Sequence, residues 1–196
     1  MKAPTRQRLI DAAGRRFYRD GFRNVGIDQV LADVGISKTA FYKHFESKED
    51  LMLAALVDHD RSIQEMFRAM ARERGGPTPI GQLHALLDVV DHIVQSDDFQ
   101  GCIFVNAAME FPLQHEPAHR AAAASKQAIE DIVCNMAEEA GAADPRTLAR
   151  ELCLIMEGAY VTRHVTGNKQ TVDIARRVAQ LVIASGCPES AASCTA

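Results

Sequence analysis

Residues 34–51, VGISKTAFYKHFESKEDL, decide the architecture of this chain. Gly35 suits the left-handed turn that ends one helix, Ser37 caps the next, and Ser47 with an acid at the third helical position, Asp50, opens another. The helix between the two serines is very short. It carries Lys38, Thr39, Tyr42, Lys43 and His44 outward and Ala40, Phe41 and Phe45 inward. One or two turns do not offset the cost of nucleation. Such a helix needs a partner helix behind it, and its cations and hydrogen-bonding tips need a polyanion in front. A helix-turn-helix reader of DNA meets both demands.

The partner helices lie upstream. From Thr5 to Asp20 the apolar positions Leu9, Ile10, Ala12, Ala13 and Phe17 recur at helical spacing, and Gly21 stands where a helix ends. A second helix is predicted from about Ile27 to Val34, with Gly26 as N-cap, Gln29 three residues later, and Val30, Leu31 and Val34 inward. Charge agrees with the assignment. Residues 1–50 carry a net +3 and residues 51–196 a net −7, so a basic head precedes an acidic body.

The stretch from about Arg8 to Leu51 resembles the N-terminal domain of TetR-family repressors. The resemblance rests on Ala12-Ala13, Phe17, Gly21-Phe22, Ile27, Val30, Ala32, Val34 to Lys38, Phe41-Tyr42, Phe45 and Ser47 to Leu51. It covers about a quarter of the chain and is very specific. Where many relatives open the second helix with two hydroxyl residues, this chain has Val25-Gly26, which leaves the Gly26 N–H as the phosphate donor there. The expected DNA contacts are Lys43, Lys48 and Tyr42 to phosphate, and Lys38, Thr39 and His44 near base edges.

Beyond Leu51 the pattern remains helical, so the expected fold class is all-α. A three-helix helix-turn-helix domain occupies residues 1–50, a helical ligand-binding and dimerisation domain 51–186, and a small, polar, disordered tail 187–196. Helix boundaries follow from Gly75-Gly76-Pro77, Thr78-Pro79, Pro112, Pro117, Gly141, Asp144-Pro145 and Gly167. The chain is 47% hydrophobic, enough for a substantial core, and no apolar run approaches a membrane span. Five cysteines without a close pair suggest reduced thiols, and a polar, arginine-rich N-terminus suggests a soluble cytoplasmic protein.

The resemblance implies a homodimer formed through the last two helices, on an inverted-repeat operator in double-stranded DNA. The expected dimerisation residues are Leu152, Ile155, Ala159, Val178 and Leu181. It also implies a small apolar or amphipathic effector that releases DNA. Its candidate lining is Phe99, Cys102, Ile103, Phe104, Met109, Phe111, Met136, Met156 and Tyr160. The segment GCIFVNAAMEF resembles one found in a subset of the family, in some of which a cysteine here senses electrophiles. Cys102, with Arg163 or His164 approaching it, is therefore an alternative sensor.

No cofactor and no metal are expected. His84, Asp88, Asp91 and His92 share a helical face that should meet water, and Pro117 interrupts the helix that would align His115 and His119. No GxSxG, P-loop, GxGxxG or HExxH motif marks an enzyme. A non-specific DNA-architectural protein would be basic overall and need no acidic body. The reading is a ligand-responsive regulator of transcription.

Overall fold

The computed structural model describes residues 3–187, which form nine α-helices and no strand. In chain order these are α1 (Thr5–Asp20), α2 (Ile27–Val34), α3 (Lys38–Phe41), α4 (Lys48–Gly75), α5 (Pro79–Val94), α6 (Ile103–Glu110), α7 (Pro117–Glu139), α8 (Pro145–Thr166) and α9 (Thr171–Gly186). Contacts group them into two compact units. Among the described residues one comprises 3–62 and 102–125, the other 63–101 and 126–187. The first unit thus holds α6 as well as the head. No helix among the described residues is long and apolar enough to cross a membrane.

In the first unit α1 buries Leu9, Ile10, Ala12, Ala13 and Phe17, and α2 buries Val30, Leu31 and Val34. The ring of Phe17 stacks on Phe22 at 5.3 Å, in the link between them. Gly35 ends α2 at φ 73°, a left-handed conformation that a side chain would strain. From there the chain enters α3 through Ser37, whose Oγ accepts the Ala40 N–H at 3.2 Å. Helix α3 is shorter than its sequence suggests. Only Lys38–Phe41 is α-helical, and Tyr42 to His44 continue as turn. Ser47 then caps α4 by accepting the Asp50 N–H at 3.0 Å, while Asp50 accepts the Glu46 N–H at 3.1 Å.

The second unit is built on α5, α8 and α9, whose core includes Leu83, Leu86, Leu87, Val90, Leu152, Met156, Ala175, Ala179 and Ile183. Each fully buried leucine contributes on the order of 1.5–3 kcal/mol of burial. Asp144 and Pro145 open α8 as expected, the Asp144 carboxylate accepting the Thr147 N–H at 3.1 Å. The C-terminus of α5 leaves carbonyls without helical partners. Arg163 Nε donates to Val94 O at 3.1 Å and Lys169 Nζ to Gln95 O at 3.0 Å, so two cations close that end. At the α4–α5 corner two glycines approach very closely. A Cβ on Gly75 would lie 2.4 Å from the Gly81 carbonyl oxygen, and one on Gly81 would lie 2.2 Å from that of Gly75.

Cys187, expected in the disordered tail, closes α9 instead: it is buried, and its N–H reaches Ile183 O at 2.9 Å. Residues 188–196 of that expected tail lie outside the described residues.

Candidate nucleic-acid interface

The aromatic side of α3 explains how so short a helix holds its place. Phe41 and Phe45 are buried and stack at 5.8 Å, and Tyr42 meets Phe41 edge-on at 5.2 Å with its own ring largely exposed. On the outside Lys38, Thr39, Tyr42, Lys43 and His44 are all solvent-exposed. The head therefore presents exposed hydrogen-bonding side chains above a buried aromatic pair.

The cations of the unit have three different destinations. Lys38 is paired with Asp28 at 2.9 Å, and that hydrogen bond raises its pKa from the ordinary 10.5. Lys48 is half-buried above the Phe17 ring, 6.0 Å from its centroid, with Nζ 3.5 Å from Arg23 O. Burial lowers its pKa, partly opposed by the charge of Glu110. Lys43 is exposed.

Several arginines serve the fold. Arg8 Nη2 donates to Val34 O at 2.5 Å, closing the end of α2, and the Arg6 guanidinium lies 4.9 Å over the Phe45 ring. Arg16 forks onto Asp33 at 2.5 and 2.7 Å, tying α1 to α2. Counting positive charge by sequence could not separate these from cations aimed at solvent. The Gly26 N–H, expected to be a phosphate donor, is already engaged. It donates to Gln29 Oε1 at 2.8 Å, completing the capping box of α2.

Comparison with known proteins decides what this head belongs to. Residues 9–55 match the family model described as "Bacterial regulatory proteins, tetR family", and residues 79–179 match "Tetracyclin repressor-like, C-terminal domain". The chain belongs to the TetR family. A TetR-family transcriptional regulator from Streptomyces coelicolor is 31% identical, superposes with a TM-score of 0.86, and is matched over 93% of this chain and 96% of its own. The regulator YjdC of Escherichia coli is 22% identical over 91% of this chain and 93% of its own length. The repressor DhaR of a Mycobacterium species is 26% identical over 56% of this chain and 53% of its own. This TetR-family protein is accordingly a transcriptional regulator with a DNA-binding helix-turn-helix. The family and its relatives are transcriptional regulators, which are generally not enzymes, and the comparisons do not favour the architectural or thiol-sensing alternatives.

The residues expected around an effector fall into both units of the TetR-family chain. Ile103 and Phe104 are buried in the first, with Cys102 and Phe111 half-buried and Met109 exposed at 77%. Met109 therefore faces solvent on the outward side of α6. His59, which the sequence reading passed over, lies against Phe104 at 5.6 Å, and burial lowers its pKa from 6.5. Phe99, Met136, Met156 and Tyr160 are buried in the second unit, where Phe99 lies 6.2 Å from Tyr160 and under Arg163 at 5.7 Å. Arg163 is thus engaged with Phe99 and the α5 terminus.

A cavity of about 130 Å³ opens elsewhere, lined by polar Arg74, His84, Asp88, Arg176 and Gln180 with Ala85 and Leu87 among its apolar contacts. Asp88 is paired there with Arg176 at 2.5 Å. His119 Nδ1 meets Phe111 O at 3.0 Å. No metal-binding cluster of His, Cys, Asp or Glu occurs among the described residues.

Of the side chains expected to pair two copies, Leu152 and Ala159 are buried inside the second unit and Ile155 packs against its core. Val178 and Leu181 do face outward. Helix α8 instead exposes Leu154, Val161 and Val165, at 74%, 50% and 76%. On α9 Ile174 joins the outward pair, so each helix carries an apolar row at helical spacing.

Proposed function

We propose that this regulator is a repressor that binds an inverted-repeat operator as a homodimer and releases it when a small apolar or amphipathic molecule binds. The two outward apolar rows, Leu154/Val161/Val165 and Ile174/Val178/Leu181, carry the reading. A monomer gains nothing by holding six large apolar side chains in water, and a second copy would cover them. One short reading helix contacts only a few base pairs, and two-fold symmetry supplies the second about one DNA turn away. DhaR, named a repressor, supports the direction of control.

Lys43, Lys48 and Tyr42 contact phosphate in this reading, and Lys38, Thr39 and His44 lie near base edges. Effector contacts come from the buried apolar side chains Phe99, Met136, Met156 and Tyr160. To move the DNA-competent population from 99:1 to 1:99 the effector must favour the released form by about 5.5 kcal/mol.

The test uses light scattering and a gel shift with duplex DNA from upstream of the protein's own coding region. The mass of two chains at micromolar concentration, and a shift lost when the inverted repeat is scrambled, are expected. A monomer, or equal binding to scrambled DNA, overturns the proposal.

A further inference from the structure

Helix α6 ends on Glu110, and its carboxylate spans two consecutive backbone N–H groups in the link between α1 and α2. Phe22 N donates to Oε1 at 2.9 Å and Arg23 N to Oε2 at 2.7 Å. The link reciprocates: Arg23 Nε donates to the Glu110 carbonyl at 2.9 Å, closing the C-terminus of α6, and its guanidinium lies 4.8 Å over the Phe111 ring. Phe111 in turn meets the buried Phe22 edge-on at 6.3 Å. The space is tailored to the carboxylate, since a Cβ on Gly21 would lie 3.2 Å from its Oε1. Arg23 then passes the constraint on, because its own carbonyl oxygen is 3.5 Å from Lys48 Nζ.

We infer that Glu110 is a positioning residue for DNA binding, fixing the α1–α2 link and, through the Arg23 carbonyl, the ammonium of Lys48. The inference rests on the reading of Lys48 as a phosphate contact. A carboxylate can accept both N–H groups at once. The amide of glutamine accepts one and turns its own N–H₂ toward the other, so Glu110→Gln breaks the clamp while preserving its shape.

The experiment measures anisotropy of a random-sequence duplex of about 30 base pairs, which reports phosphate contacts without knowledge of the operator. It compares wild type, Glu110→Gln, Lys48→Ala and the double variant, alongside amide exchange at Phe22 and Arg23. Glu110→Gln is expected to bind about tenfold more weakly and to exchange about tenfold faster at those two amides. In the Lys48→Ala background it should cause no further loss, a non-additivity that general destabilisation would not produce. Wild-type affinity in Glu110→Gln, or a loss that adds fully to that of Lys48→Ala, overturns the inference. If Lys48→Ala alone binds like wild type, the phosphate reading fails and the route through Lys48 fails with it. Should Glu110→Gln not fold, Glu110→Asp keeps the charge but shortens the reach by about 1.5 Å. It should show the same losses, and wild-type binding by it overturns the inference equally.

Discussion

The Lys38 ammonium lies 2.9 Å from the Asp28 carboxylate, so the first cation of the reading helix is held by the first turn of the helix before it. Both groups are exposed. Asp28 therefore offsets the charge of Lys38 on the surface proposed to face DNA, and brings a negative charge to the same face. Asp28→Asn should tighten binding to random-sequence duplex and steepen its salt dependence by about one unit of slope. Anisotropy at a series of salt concentrations checks this. An unchanged slope would place the pair outside the DNA footprint.

The Arg16–Asp33 fork makes head stability dependent on pH. The hydrogen bond from Arg16 holds the Asp33 carboxyl below its ordinary 3.8. The unfolded chain therefore takes up the proton first as acid is added, and the stabilisation is present above 3.8 and lost as pH falls through the lower folded value. Thermal melts should give Asp33→Asn a lower Tm than wild type at neutral pH, with the two curves converging as acid protonates Asp33 in the folded chain. Curves that stay parallel into strong acid would remove this fork from the pH response.

Neighbouring leucines on α8 should behave in opposite ways. Leu152 is fully buried and Leu154 is 74% exposed. Leu152→Ala should cost about 2–5 kcal/mol of stability. Leu154→Glu together with Leu181→Glu should leave the fold intact and split the proposed dimer. Chemical denaturation and light scattering read the two effects separately. A dimer that survives both glutamates would move the interface elsewhere.

Arg8 reaches the Val34 carbonyl at the open end of α2, the helix that precedes the reading helix. Arg8→Met keeps the aliphatic stem and removes the donor, so it should cost about 1.5–3 kcal/mol. A melt unchanged from wild type would show that water replaces the guanidinium there without loss.

Helix boundaries were legible because their causes are local. Thr78-Pro79 and Asp144-Pro145 each put a capping oxygen three residues before the N–H it accepts, and Gly35 and Gly167 supply positive φ where α2 and α8 end. Faces were harder to assign. Helix α8 has apolar residues at 152, 154, 155, 156, 159, 161 and 165, and periodicity cannot say which of them serve its own core. The partners of long cations were hidden for a related reason. Arg8 is 26 positions from the carbonyl it caps, and Glu110 is 88 from the N–H of Phe22. No spacing rule reaches that far. The Gly26 donor was correctly placed at a helix start, but the same local rule supplied Gln29 to occupy it.

Gly75 and Gly81 are glycines by volume and not by dihedral angle, since neither is among the residues at positive φ. Each is held small by the other's carbonyl, and the backbone of Gln82 also crowds Gly75. Because the obstructing carbonyls are backbone atoms, they remain whatever side chain the other position carries. Each glycine is therefore required independently, and a methyl group at either one forces the α4–α5 corner itself to open.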